Sequence, residues 1–346
     1  MRRNPAIVST LEDTQMQNSP ATVAMVFSGG LGLAAYHAGV YQSLSQRSLP
    51  LHWVAGSSAG AVTAALIAGN RNSDRISRLR AFWNFPPIES YTPGPWRHLS
   101  GWIGAVRSRL VGNPGHFHPR IPSMNPFRFR SLYDLAPMRE RVKTLIDFGR
   151  LNSGETRICV AATDIETGDP VIFDSQKHRI NVDHLMASCG FLPEFAPLEV
   201  DGRFLGDGGL SLNAPFDPIL QSHIDGDLLL YVVDLYARDG HRPDSFEAAS
   251  ERKNDLLFGN QTYIRLKYCL ELSRLRRKLN GGGDGPRERV VLLSYRPGLE
   301  EPGPEKSFEL SAAALAQRWQ AGVLDMECSE HSHPHSNEEV VFVRRT

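Results

Sequence analysis

The chain has 346 residues, enough to bury a substantial core as one large α/β domain with additions or as two domains. Its 38 basic and 38 acidic side chains cancel, so the charge gives no support for nucleic acid as a partner. Four cysteines, Cys159, Cys189, Cys269 and Cys328, lack metal-type spacing and read as free thiols in a reducing compartment.

Residues 1–21 are polar and mixed and read as a disordered lead. Arg2 and Arg3 are followed by no apolar stretch of secretory or membrane-spanning length. The expected location is the cytoplasm, with peripheral contact at a membrane left open. Ala24-Met25-Val26-Phe27 reads as a buried strand that runs into Ser28-Gly29-Gly30-Leu31-Gly32. A helix is predicted over 34–44, with Tyr36, Val40 and Leu44 on one face. A strand at 53–55 and a helix over 59–68 follow, closed by Gly69-Asn70. Residues 23–70 therefore spell β-α-β-α, the pattern of a parallel sheet covered on both faces.

Residues 74–130 carry many Pro, Gly and Arg residues and the aromatics Trp83, Phe85, Trp96, Trp102, Phe117, Phe127 and Phe129. They are irregular apart from a helix predicted around 102–110, and read as a lid-like insertion. Its aromatics and arginines either grip lipid and anionic headgroups or pack beneath a long loop. An amphipathic helix is predicted over 135–148, with Leu135, Met138, Val142, Leu145 and Ile146 inward. Strands at 158–162 and 171–173 come next. Asp201-Gly202 is a two-residue hairpin signal whose second strand delivers Gly206-Asp207-Gly208-Gly209. Residues 228–235 form a long apolar strand, expected near the sheet centre. A charged loop is predicted over 238–254, a basic helix over 255–279, a flexible loop over 281–286 and a strand over 290–295. A late helix turns Leu315, Trp319, Val323 and Met326 inward. Asp164, Glu166 and Asp169 read as a turn. His331-Ser332-His333-Pro334-His335 reads as a solvated tail, flexible from about residue 329.

The chemistry centres on Trp53-Val54-Ala55-Gly56-Ser57-Ser58-Ala59-Gly60-Ala61-Val62. A strand, Gly-x-Ser-x-Gly and a small-residue helix in that order place Ser58 on a sharp bend, where a nucleophilic hydroxyl stands above a sheet. Acyl transfer also needs donors for a developing oxyanion, and the backbone of Gly29, Gly30 and Leu31, with Ala59 at the next helix start, supplies candidates. Gly29-Gly30 also fits a phosphate loop or a plain tight turn, but Gly-x-Gly-x-x-Gly is absent. For the proton acceptor, His178, His184 and His223 lack a strand-end context, whereas Asp207 follows one. An Asp-Gly-Gly read alone is more often a surface turn.

Taken together, four blocks between residue 24 and about residue 215 resemble the patatin-like phospholipase family. They are Phe27-Ser28-Gly29-Gly30 with Tyr36, Gly39 and Val40, Gly56-Ser57-Ser58-Ala59-Gly60, Ala187-Ser188-Cys189-Gly190-Phe191-Leu192-Pro193, and Gly206-Asp207-Gly208-Gly209. The resemblance implies a three-layer α/β/α fold with a central, mostly parallel sheet. It implies Ser58 as nucleophile and Asp207 as general base of a dyad that needs no histidine, metal or other cofactor. The implied substrate is a phospholipid or other acyl-ester lipid. On this basis residues 22–236 form the catalytic domain, and 237–346 a C-terminal extension packed on it, similar to one in a bacterial subgroup.

The family's usual Gly-Gly-Gly-x-Arg-Gly is here Gly29-Gly30-Leu31-Gly32-Leu33-Ala34, with Leu31 for the third glycine and Leu33 for the arginine. Leu31 is expected to donate from an ordinary negative φ. The change motivates a rival reading, a catalytically weak lipid-binding or scaffold protein that keeps the fold. For the enzyme, apolar groups around Phe191 and Phe204 are expected to bury Asp207 and raise its pKa.

Overall fold

The computed structural model describes residues 21–47, 49–83, 97–120, 130–224, 226–279, 288–297, 306–331 and 340–343. Residues 1–20, the glycine loop 281–286, His333 and His335, and the aromatics Phe85, Trp96, Phe127 and Phe129 lie outside these. In chain order come β1 (Thr22–Phe27), a 3-10 turn (Leu31–Ala34), α1 (Ala35–Ser45), β2 (Trp53–Ser57), α2 (Ala59–Ala68), α3 (Asn72–Trp83) and α4 (Arg97–Val111). The short β3 (His118–Pro119) and β4 (Tyr133–Asp134) precede α5 (Ala136–Leu145), α6 (Phe148–Leu151), β5 (Arg157–Asp164), β6 (Pro170–Asp174), α7 (Val182–Ser188), β7 (Leu198–Val200) and β8 (Arg203–Asp207). Then follow α8 (Asp217–Leu220), β9 (Leu228–Asp234), α9 (Phe246–Leu279), β10 (Glu288–Ser294), α10 (Ala312–His331) and β11 (Val340–Val343).

The main sheet runs β11-β10-β9-β1-β2-β5-β8-β7, with β6 also on β5. From β11 to β5 every pairing is parallel, while β6, β8 and β7 join antiparallel. Alternate residues of β1 face opposite layers, as a pleated strand requires. Met25 and Phe27 enter a core with α1, α2 and α10, whereas Ala24 and Val26 enter a second one with α8 and α9. Strands buried on both faces read as continuous apolar runs, which is why 228–235 stood out in the sequence. The result is a mostly parallel α/β/α sandwich. Its C-terminal segment is built into it, since β10 and β11 extend the same sheet beyond β9.

Several predicted bounds move. The helix expected over 34–44 starts as a 3-10 turn at Leu31. Residues 74–83, expected to be largely irregular, lie in α3, because Leu79, Phe82 and Trp83 sit at helical spacing and are buried. The helix expected over 135–148 breaks at Ile146, whose backbone is extended, and Asp147 caps α6 through Gly149 and Arg150 N–H. The charged loop expected over 238–254 is helical from Phe246. Asp164 accepts from the N–H groups of Glu166 and Thr167, a local turn.

Candidate active site

Strand β5 assembles the centre. One of its edges pairs with β2 up to Ser57 opposite Ala161. The same edge then takes β8, with Asp207 opposite Ala162, because β6 already occupies the other edge over Cys159–Thr163. Ser57 and Asp207 are thus neighbours in register, and the residue after Ser57 is Ser58. Two segments 149 positions apart meet because one strand ends where an antiparallel strand begins.

Ser58 sits between β2 and α2 with φ 55 and ψ −128, a sparsely populated conformation for a residue with a Cβ. The bend is held from outside. The Ser58 N–H donates to Ser188 Oγ at 2.8 Å, and Ser188 Oγ donates to Ala161 O at 2.6 Å. Ser188 ends α7 and is fully buried, so it ties the bend to β5. A Cβ on Gly60 would lie 2.2 Å from Phe27 O, so only glycine lets α2 start this close to β1.

Asp207 closes β8 and is 2% exposed. Its Oδ1 accepts the Gly209 N–H at 2.7 Å, and Thr163 Oγ1 donates to its backbone oxygen at 2.7 Å. Burial pushes its pKa up to about 7, against hydrogen bonds from the Ser58 side chain and Gly209 N–H that pull it down. The shielding was expected from Phe191 and Phe204. Phe191 does line the site, but Phe204 is 37% exposed, because along β8 it alternates outward from Leu205.

Ser58 and Asp207 open onto one cavity of about 340 Å³ at the carboxyl ends of the parallel strands, the usual ligand position in open α/β sheets. Gly29, Gly30, Leu31 and Ala59 line it too. Leu31 lies at φ 49, not at the negative value expected, so its backbone takes the left-handed shape that a glycine would adopt freely. The Gly29 N–H is already engaged, donating to Asn213 Oδ1 at 3.0 Å. For the N–H groups of Gly30, Leu31 and Ala59 no acceptor exists among the described residues. No histidine lines the cavity among those residues. His184 instead closes the capping box of α7 with Asn181, and His37 is fully buried and held neutral, its pKa pushed down to about 3.

Several cavity residues were not singled out in the sequence. Asn213 is 2% exposed, and its Nδ2 finds no partner among the described residues. The Asn-x-Pro that follows Asp-Gly-Gly-x-x-x was the available cue. Arg109 on α4 brings the insertion to the wall and lies over the Phe308 ring at 4.2 Å. Ser307 and Phe308 bring the C-terminal segment, and Lys253, Asn254 and Phe258 bring α9. In the insertion both sequence readings find residues. Phe82, Trp83 and Phe117 are buried packing, whereas Trp102 and Ile103 are about half exposed. No group of three or more metal-ligating side chains occurs among the described residues.

Fold and site are those of an α/β protein with a serine bend and a buried acid at the carboxyl end of a mixed sheet. The family model for patatin-like phospholipase matches residues 25–220, more than half of the chain. The chain belongs to that family, which supports lipid hydrolysis as its chemistry. Among solved structures, VipD from Legionella pneumophila is similar at 14% identity and TM-score 0.38, over 88% of this chain and 67% of that one. ExoU of the Pseudomonas aeruginosa type III secretion system, in complex with SpcU, is similar at 16% identity and TM-score 0.31, over 74% and 53%. Human GIVD cytosolic phospholipase A2 is similar at 10% identity and TM-score 0.35, over 88% and 57%. The chain spans about half the length of ExoU. No curated protein matches its sequence.

Proposed function

We propose that the protein is a serine acyl hydrolase that cleaves phospholipid or related acyl-ester lipids through a Ser58–Asp207 dyad. One observation carries this reading: a strained serine and a buried acid with a pKa near 7 share a cavity that no described histidine lines. A carboxylate at its ordinary pKa of about 4 is a feeble base, and one raised to about 7 is matched to neutral pH. As Ser58 Oγ attacks the acyl carbon, its proton passes to the Asp207 carboxylate. The carbonyl oxygen becomes an oxyanion facing the N–H groups of Gly30, Leu31 and Ala59, which find no acceptor among the described residues. The alcohol then leaves with the proton from Asp207, and water, deprotonated by the same group, frees the acid from Ser58. Leu31 keeps the backbone shape of a glycine despite its side chain, which favours the enzyme over an inactive scaffold.

The test is hydrolysis of short- and long-chain acyl esters, with fluorophosphonate labelling. Ser58→Ala is expected to abolish both labelling and turnover. Asp207→Asn is expected to keep the fold and lose about 100- to 10,000-fold in kcat. Lipid binding by the wild type with no turnover would establish the scaffold instead, and a histidine variant that alone lost activity would replace the dyad with a triad.

A further inference from the structure

Helix α9 runs 34 residues, about 50 Å, and only one side of it is covered. Leu266 and Leu270 are buried in the core beneath the sheet. On the other side Leu257, Ile264, Tyr268, Leu272 and Leu275 are 46–68% exposed. Their spacings of seven, four, four and three residues form a single stripe at the helical period. Extended one and two turns toward the N-terminus, the stripe reaches Asn254 and Ser250, both in the wall of the cavity that holds Ser58. A continuous face thus leads from an exposed apolar strip to the candidate active site.

Its charge says what would cover it. From residue 260 to 279 the helix carries Arg265, Lys267, Arg274, Arg276, Arg277 and Lys278 against one acid, Glu271. By helical phase Arg265 and Arg276 flank the stripe on one side, and Lys267, Arg274 and Lys278 on the other. Arg265 is paired with Asp217 at 2.6 Å and Glu271 lies at the stripe's edge, yet over residues 264–278 the flanks are mostly basic. A second copy of this part of the face would meet mostly like charge, whereas an anionic lipid surface meets both the apolar stripe and the basic flanks. We propose that α9 lies on anionic phospholipid membrane, its stripe at the level of the acyl chains and its basic flanks among the headgroups. This rests on the lipid-ester reading only for its purpose, which is to bring the cavity mouth to the substrate.

Co-sedimentation of the full chain with vesicles of equimolar phosphatidylcholine and phosphatidylserine tests it. Wild type is expected to bind these vesicles, less in high salt, and to bind pure phosphatidylcholine weakly. The pair Ile264→Glu and Leu272→Glu should cut binding at least about tenfold at unchanged thermal stability. The pair Arg276→Glu and Lys278→Glu should do the same without touching an apolar side chain, again by about tenfold. Hydrolysis of a soluble short-chain ester should stay at wild-type level in both. Vesicle binding equal to wild type in both pairs would overturn the surface, as would a lipid-free wild-type dimer that the first pair converts to monomer. Vesicle binding lost in the variants, in a protein that hydrolyses no ester at all, would uphold the surface while the proposed function fell.

Discussion

At the scale of single residues, burial holds two acids, Asp207 in the cavity and Asp234 at the end of β9 outside its lining, away from their ordinary state. Asp207 and Asp234 both have a pKa raised to about 7 by burial. Asp207 can act as a base only when deprotonated. The rate of ester hydrolysis is therefore expected to rise with pH through about 7 and level off above it, and a profile already flat from pH 5 upward would remove the base. Stability must move the other way. Both folded-state values exceed the unfolded value of about 3.9, so the folded chain holds protons that the unfolded chain has released. Their stabilising contribution is complete below about pH 4 and is lost as pH rises through about 7. Asp234→Asn should thus gain stability over wild type between pH 5 and 8, by about 2–4 kcal/mol at pH 8 in urea unfolding. A third residue acts without meeting substrate. Ser188→Ala would strand the Ser58 N–H and Ala161 O inside the protein. Losing these bonds should cost about 1–3 kcal/mol of stability, and kcat should fall with KM little changed.

At the scale of elements, much of the architecture was legible because period and turn chemistry agreed. The β-α-β-α run over 23–70, the Asp201-Gly202 hairpin and the central apolar strand each combine a matching hydrophobic pattern with a correct stop. Asp201 and Gly202 both take positive φ, as a two-residue turn of that type requires. Where the sequence misled, the local signal was real but tertiary packing overrode it. Residues 246–254 look like a charged loop, yet Glu251 and Asp255 are held in helix α9 by the buried ammonium of Lys306. Leu31 was expected to keep a negative φ, but it takes φ 49. Ser188 lay in a resemblance block and Asn213 in an Asn-x-Pro cue, but the contacts that Ser188, Asn213 and Phe308 make with Ser58, Gly29 and Arg109 could not be read, since each spans more than 100 positions. The same kind of contact governs the docking of α1 on α10. A Cβ on Gly39 would lie 1.9 Å from Trp319 O, and one on Gly322 2.2 Å from Tyr36 O. Two helices approach backbone to backbone there, with Tyr36 Oη donating to Asp325 Oδ2 at 2.8 Å. Gly39→Ala gains a little intrinsic helix propensity but forces these helices apart. The clash should win by about 2 kcal/mol or more, read as a lower Tm, whereas an unchanged Tm would mean the helices can separate at no cost.

For the whole molecule, the question is whether the segment after α9 is an accessory or part of the fold. The family match ends at residue 220, yet the chain beyond it supplies β9, the neighbour of β1. On its other side β9 pairs along its full length with β10, so removing residues 281–346 would leave an apolar central strand as an open edge. The same cut removes α10, whose Leu315, Trp319 and Met326 are buried against the layer that holds α1. Burying such side chains contributes about 1.5–3 kcal/mol each, so losing these three approaches the 5–15 kcal/mol by which a typical domain is stable. It also strips Ser307 and Phe308 from the cavity wall, and with them the aromatic ring under Arg109. A chain ending at residue 280 is therefore expected to be recovered with a much smaller soluble fraction than the full chain. Supplying residues 281–346 as a separate polypeptide should restore part of the soluble fraction, because the missing strand and helix have a preformed place to dock. A soluble truncated chain with a sharp unfolding transition and full ester turnover would instead make the segment dispensable and confine the working fold to the strands from β1 to β9.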